Sequence, residues 1–293
     1  MNLNTIYKTH LPALLLFMSF TYHSAFAQET KKEEPAKPRL YLGFTIGPAM
    51  NKIINNGELS VSSLNSKDKY SVSGSLDVGY QFSEIIGIST GLVYSSNNAE
   101  LSLSSYSNKF NTTDSENETY ERRVTGSAIS ETQKISFLSL PLCLNFQFPF
   151  TSRFGMFIQA GVNFSFPVSK EYSSSGTFTY TGYYPAYNVV FQDLPAYGFI
   201  NDASVNYKGK LEVNSPVISG LGMAGLQFFV TEKLQLALGV NYCRSLMNIS
   251  KYASPDTFQL SSDISQISSM MGGSKTASTE NMGIRLSFRY YLR

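Results

Sequence analysis

Apolar and polar residues alternate along eight segments of this chain, and the last segment shows the pattern most clearly. In 283–293, GIRLSFRYYLR, every second residue from Ile284 to Leu292 is apolar. Successive side chains of a β-strand point to opposite faces, so this segment is predicted to be a strand with one apolar face. The eight segments are 39–47, 70–82, 85–95, 137–150, 156–166, 217–230, 234–243 and 283–293. We find no convincing amphipathic helix of period 3.6.

The connections between these segments are short and long in turn. The short ones are 83–84, 149–153 and 231–233, and the long ones are 49–69, 96–134, 169–216 and 245–282. An even number of strands with this sorting of connections is typical of outer-membrane barrels, which have short periplasmic turns and long extracellular loops. We therefore predict an all-β fold, an eight-stranded antiparallel transmembrane β-barrel with up-and-down meander topology. A ten-stranded barrel is the alternative, because 177–184 and 204–213 also alternate, and these two segments equally fit extracellular extensions of the strands.

The N-terminus has the parts of a secretory signal peptide. Lys8 precedes the apolar run 11–20, and Ala25 and Ala27 form an A-x-A cleavage site. We expect Sec export, cleavage after Ala27 and localisation in the outer membrane. The predicted regions are a signal peptide over 1–27, a flexible periplasmic lead-in over 28–38 and the barrel domain over 39–293.

The composition argues against catalysis and against nucleic-acid binding. Both histidines, His10 and His23, lie inside the predicted signal peptide. Nucleophilic hydrolases usually need a histidine base, so we predict that the protein is not an enzyme. Zinc-ligand spacing is also missing, and we expect no cofactor or metal. Loss of Lys8 leaves 22 Lys and Arg against 21 Asp and Glu, a balance without an electrostatic case for nucleic acid.

Five stretches carry a resemblance to a known family. They are GISTGLVYSS (87–96), FLSLPLCLNFQF with Pro141 (137–148), GMFIQAGVNFSF (155–166), LQLALGVNYCRSLMNI (234–249) and GIRLSFRYYLR (283–293). Together they resemble the outer-membrane β-barrel family common in Bacteroidota, a group of Gram-negative bacteria, which includes PorT-like proteins. The resemblance implies a small barrel and transfers no catalytic residue. Its PorT-like branch implies an accessory role in protein secretion.

Three charged residues fall on the polar face that would line the barrel. Asp77 and Arg289 lie at similar depth above the short-turn edge, with Arg285 higher. Because buried charges are normally paired, we predict a salt bridge between Asp77 and Arg289 in the lumen. The pair is either a plug that satisfies buried charge or a gate for small solutes. Eight strands leave an interior that side chains can fill, which predicts a filled, non-porin lumen.

Two further groups of residues are candidates for contacts with partners. The third long connection is rich in aromatic side chains, which either bind an extracellular glycan or protein or extend the strands and pack on each other. These are Tyr180, Tyr183, Tyr184, Tyr187, Phe191 and Tyr197. In the last strand, Phe288, Tyr290 and Leu292 would form the apolar face that barrel-assembly machinery recognises, beside outer-membrane lipid.

Three functions fit these observations. The first is a structural or surface-binding role through the long extracellular loops, and the second is an accessory role in protein secretion or small-solute transport. The third is an enzyme without histidine that uses Asp114 and Glu118, although such a charge run is typical of a solvated loop.

Overall fold

The alternating segments form antiparallel strands in the computed structural model, which describes residues 39–56, 64–251, 267–274 and 276–292. The strands are β1 (Arg39–Asn56), β2 (Leu64–Gln81), β3 (Ile86–Thr113), β4 (Thr119–Pro149), β5 (Phe154–Tyr184), β6 (Val189–Phe191), β7 (Ile200–Lys210), β8 (Val217–Phe229), β9 (Leu234–Ser245) and β10 (Thr276–Leu292). Two 3-10 helices, Pro195–Tyr197 and Met270–Gly273, lie between strands. In the described part of the chain, no helical segment has the length and apolarity that crossing a bilayer requires. The signal peptide with Ala25 and Ala27, the lead-in and Arg293 lie outside these residues.

Eight of the strands close into a ring. The pairs β1–β2, β2–β3, β3–β4, β4–β5, β5–β8, β8–β9, β9–β10 and β10–β1 complete the circle. The predicted eight-stranded barrel is therefore confirmed. The alternation over 177–184 and 204–213 also corresponds to strands, because 177–184 form the end of β5 and 204–210 form most of β7, and these two strands pair with each other outside the ring.

The faces of the ring are inverted relative to those of a water-soluble barrel. Leucines on the outer face are half exposed, at 53% for Leu42 and 56% for both Leu142 and Leu238. On the inner face, small and amide side chains such as Ser73 and Gln147 are buried. An apolar outer surface around a polar interior is the arrangement that a lipid environment stabilises.

Three strands of the ring continue far beyond the apolar outer surface, and here the prediction of loops was wrong. The second connection was expected to be a loop over 96–134, but β3 runs to Thr113 and β4 starts at Thr119. We call this projecting part the sheet extension. It comprises 95–113 of β3, 119–137 of β4, 169–184 of β5, and the whole of β6 and β7.

The sheet extension has an apolar core of its own on its inner face. Its strands contribute buried side chains that pack with Ile267 and Met270 of the last connection. The members are Leu101, Leu103, Tyr106, Val124, Ile129, Phe178, Tyr180, Val205, Ile267 and Met270. Burial of this surface explains why the strands persist in water rather than ending at the membrane.

Candidate functional site

Four glutamines form a layer across the lumen at its short-turn end. Gln147 Nε2 donates to Gln81 Oε1 (3.3 Å), and Gln227 Nε2 donates to Gln147 Oε1 (3.3 Å). The hydroxyl of Tyr291 accepts from Gln147 Nε2 (3.2 Å) and donates to Gln235 Oε1 (3.2 Å). We call this layer, with its tyrosine, the glutamine floor.

Asp77 and Arg289 lie in one row of the sheet, as predicted. The predicted ion pair between them does not form. Gly43 lies opposite both residues in β1, one on each side. The carboxylate of Asp77 instead accepts hydrogen bonds from the hydroxyls of Thr45 (2.9 Å) and Ser75 (3.0 Å). Ion pairs join Lys69 to Glu100, and Glu121 to Lys109 and Arg123, and none of these pairs includes Asp77 or Arg289.

The position and direction of the Arg289 side chain explain why this ion pair is absent. Neighbouring strands are roughly 4.8 Å apart, so two residues on either side of Gly43 start nearly 10 Å from each other. The guanidinium of Arg289 then turns toward the short-turn end, where its carbon lies 5.2 Å from the ring centre of Tyr41 and 5.3 Å from that of Phe157. Cation–π contacts and a hydrogen bond to Gln235 Oε1 (3.4 Å) replace the expected carboxylate.

Arg285 lies further into the lumen and is also held by neutral groups. Its Nε donates to Asn241 Oδ1 (2.9 Å), and its Nη1 donates to the backbone oxygen of Ser73 (3.1 Å). A cavity of about 140 Å³ is lined by all three charged residues and by Cys143 and Cys243. A space of this size and polarity accommodates a few water molecules.

An apolar cluster borders the cavity at the end where the sheet extension begins. Phe137 and Val217 belong to both the cluster and the cavity wall. We call this cluster the apolar roof. Its members are Ile53, Ala99, Ile135, Phe137, Tyr172, Leu211, Val213, Val217, Ile249, Met271 and Ala277. The cavity therefore lies between the glutamine floor and the apolar roof.

The predicted aromatic residues of the third connection divide into a buried and an exposed group. Tyr180 and Tyr184 are buried, whereas Tyr187, Phe191 and Tyr197 are exposed by 58%, 38% and 67%. The ring of Tyr184 stacks on Tyr120 with centroids 4.9 Å apart. Tyr183 lies under the guanidinium of Arg123 at 4.5 Å. The packing of rings on each other is therefore present for Tyr184, whereas partner binding by the exposed rings stays a prediction.

The acidic run at the β3–β4 turn is used to hold this aromatic group. Asp114 Oδ1 accepts from the backbone N–H groups of Glu116 and Glu118, both at 2.9 Å, and Asp114 Oδ2 accepts from the Tyr184 hydroxyl (3.0 Å). The N–H groups of Glu118 and Glu116 keep the pKa of Asp114 below its usual range. Glu118 Oε1 accepts from the Tyr187 hydroxyl (2.5 Å). These hydrogen bonds hold the β3–β4 turn and connect it to Tyr184 and Tyr187.

The sequence pattern missed one buried carboxylate. Glu131 of β4 is fully buried in the sheet extension, where it accepts hydrogen bonds from Ser174 Oγ (2.6 Å), Ser269 Oγ (2.6 Å), Gln133 Nε2 (2.7 Å) and the backbone N–H of Met270 (2.8 Å). Burial raises the pKa of Glu131. The carboxyl group thereby joins the last connection to the strands, a role that an isolated Glu in a polar stretch does not indicate.

The predicted insertion residues face outward. Phe288, Tyr290 and Leu292 of β10 are exposed by 40%, 46% and 37% on the apolar surface. Their recognition by assembly machinery stays a prediction. Within the described ranges, no group of three or more His, Cys, Asp and Glu side chains has the arrangement of a metal site.

Comparison with known proteins gives a family match. Residues 26–251 match the sequence profile of a family described as outer membrane protein beta-barrel domain. This match includes all of β1 to β9. A comparison with curated proteins gave no match.

Solved structures with similar folds are bacterial outer-membrane and surface proteins. Ail, the attachment invasion locus protein of Yersinia pestis, is 10% identical over 86% of this chain and 99% of its own, with a TM-score of 0.31. Neisserial surface protein A is 10% identical over 88% and 99%, with a TM-score of 0.35. The outer membrane protein OprG from Pseudomonas aeruginosa is 12% identical over 89% and 98%, with a TM-score of 0.37.

Proposed function

Because this chain belongs to the outer membrane protein beta-barrel domain family, we propose that it is a non-conducting barrel that binds another protein at the cell surface. In an integral outer-membrane barrel of this kind, the short turns face the periplasm and the long connections face outward. The sheet extension then projects from the cell as a platform.

The observation that carries this proposal is an apolar surface at the end of the platform, which we call the tip patch. It consists of Tyr187, Val189, Val190, Phe191, Leu194 and Tyr197, each at least 38% exposed. Val168 is the last strongly exposed apolar residue of the membrane part of β5, whereas β6 pairs with β5 at Gly182. At about 3.3 Å per residue, the patch lies roughly 45 Å further along the strand, too far to contact lipid. Exposed apolar patches in water typically mark binding sites.

The strand edge beside the patch favours a protein partner over a glycan. In the described part of the chain, β6 pairs with β5 on one edge and with no strand on the other. A free edge with exposed Val189, Val190 and Phe191 offers both main-chain hydrogen bonds and apolar contacts to an extended segment. The hydrogen bond from Tyr187 to Glu118 holds one aromatic ring of the patch in place before binding.

The two boundaries of the lumen support the non-conducting part of the proposal. Small-solute transport would need a continuous path past the glutamine floor and the apolar roof. Arg289, Asp77 and Arg285 all have hydrogen-bond partners within the lumen, so none of them needs a passing solute as a hydrogen-bond partner.

Binding through the tip patch is tested with a pair of matched phenylalanines. A photo-crosslinking residue in place of Tyr197 identifies the partner protein on intact cells. The affinity of this partner for the purified barrel is then measured. Phe191→Ala should weaken binding about tenfold, as expected for an aromatic anchor. Phe110→Ala is the control, because Phe110 is 40% exposed on β3, with two strands between it and β6. Equal affinities of wild type and Phe191→Ala would contradict the proposal.

A further inference from the structure

The sheet extension buries an arginine that lacks acceptors. Arg122 of β4 is 5% exposed, and neither its Nε nor its Nη2 has a hydrogen-bond partner in the described part of the chain. The hydroxyl of Tyr180, a fully buried residue of β5, also has none there. The guanidinium carbon lies 5.3 Å from the ring centre of Tyr180. Two polar groups without acceptors are therefore neighbours in one buried place.

The surroundings of this place are aromatic and contain a close-fitting turn. Arg122 lies opposite Gly182 in β5, and the ring of Phe199 occupies the space that a side chain at Gly182 would need. Gly198 has a left-handed φ of +77°, and a Cβ added there would lie 3.7 Å from Nη2 of Arg122. The turn 194–199 thus covers the guanidinium.

Arg123, the next residue in the chain, has the carboxylate partner that Arg122 lacks. Arg123 points to the opposite face, where its Nε donates to Glu121 (2.6 Å) and its guanidinium lies over Tyr183. Among the described residues, Arg122 has the ring contact with Tyr180 and no carboxylate partner. A buried charge without a counter-charge is costly, and a cation–π contact offsets only part of that cost.

We propose that Arg122 and Tyr180 form a binding site for a small monovalent anion of halide size. The groups without acceptors are N–H and O–H donors, so the missing partner is an acceptor, and a negative one also neutralises the guanidinium. Arg122 is 5% exposed and the turn 194–199 lies against its guanidinium, which favours a small anion over a sugar or peptide carboxylate. An anion here also stabilises the turn 194–199, which carries Leu194 and Tyr197 of the tip patch.

Bromide is the probe for the position of the site. Crystals of the full barrel in detergent, grown in sodium bromide, are measured at the bromine absorption edge. We expect an anomalous peak within hydrogen-bond distance of Arg122 Nη2 and the Tyr180 hydroxyl. Ordinary water density there without an anomalous peak would overturn the proposal.

Thermal unfolding in detergent tests whether the site is occupied in solution. Replacing gluconate, which is too large to enter, with bromide at constant ionic strength should raise the Tm of the wild type by about 2–4 °C. Arg122→Met should lose this dependence and be at least as stable as the wild type in gluconate, because it removes the uncompensated charge. Arg123→Met is the matched control and should keep the full bromide effect.

Each result decides the question. A bromide effect that persists in Arg122→Met shows a general salt effect and refutes the site. A crystallographic peak with no Tm dependence in the wild type shows binding at crystal concentration only and also refutes it. Folding of each variant is checked by its β-sheet circular dichroism signal, and Tyr180→Phe provides a second variant that keeps the charge but removes one donor.

Discussion

Glu131 links two parts of the chain through a single carboxyl group. Its four donors come from β4, from β5 and from the segment 267–274, and no cation contacts it among the described residues. Because burial raises the pKa of Glu131, the docked segment is favoured when the group is protonated. This contribution is complete below the usual carboxyl pKa and is lost as the pH rises through the raised value.

We predict that docking of the segment depends on pH through Glu131. Hydrogen exchange of the Met270 amide, corrected for intrinsic rates, should slow as the pH falls through the raised pKa. Glu131→Gln stays neutral and should remove this dependence, since the serine hydroxyls can accept from its amide. Glu131→Leu leaves buried donors unpaired, at about 1–3 kcal/mol, and should accelerate exchange roughly tenfold or more.

Exposed Glu171 of β5 supplies the control for this experiment. Glu171→Gln changes a carboxylate in the same strand system without touching the segment and should leave the Met270 exchange profile unchanged. A wild-type pH profile in Glu131→Gln would show that another group controls docking.

For single residues, alternation in the sequence predicts the face of a side chain but not its partner. Asp77 and Arg289 were correctly assigned to the lumen and to one depth, because parity and distance from the turn determine both. Their contact depended on the rotamer of Arg289, which follows the rings of Tyr41 and Phe157. Those rings come from β1 and β5, and a pattern along β10 alone contains no information about them.

Among the elements, β4 shows why the sheet extension was not recognised. Ala128 has a left-handed φ of 51°, and the pairing with β5 shifts between Ser127 and Ser130. Before this bulge the even-numbered residues face inward, as Arg122 and Val124 do, and after it the odd-numbered residues do, as Glu131 does. A period of two fails across such a bulge, so alternation did not reveal the extended part of β4, although it was recognised over 177–184 and 204–213.

Removing the bulge should therefore invert the distal half of β4. Deletion of Ala128 moves Tyr120 and Val124 to the outer face, so we expect chymotrypsin to cleave at Tyr120 in intact outer membranes while the barrel stays folded. Ala128→Gly keeps the register and relieves the left-handed strain of about 1 kcal/mol. This variant should resist cleavage at least as well as the wild type. Equal resistance in the deletion variant would show that the bulge does not set the faces.

In the whole molecule, the proposed non-conducting lumen has two boundaries in series. The glutamine floor is polar and hydrogen-bonded, whereas the apolar roof offers ions no ligands. Eight strands enclose a space that side chains can fill. The strand number predicts a filled interior, and this stays a prediction. Strand ends and Ile249 and Met271 of the last connection form the apolar roof, and alternation along single strands does not indicate such a cluster.

Two boundaries in series predict a specific pattern of conductance in planar bilayers. The wild type should carry negligible current, and Asp77→Asn should not change this, because the carboxylate gates nothing while the floor and roof are intact. Gln147→Ala with Tyr291→Ala opens only the floor, and Phe137→Ala with Met271→Ala opens only the roof, so each pair alone should remain closed. The four changes together should admit small ions, since no boundary is left between the two sides. A steady current in the wild type, or one that appears on changing Asp77 alone, would show instead that the lumen is a gated path.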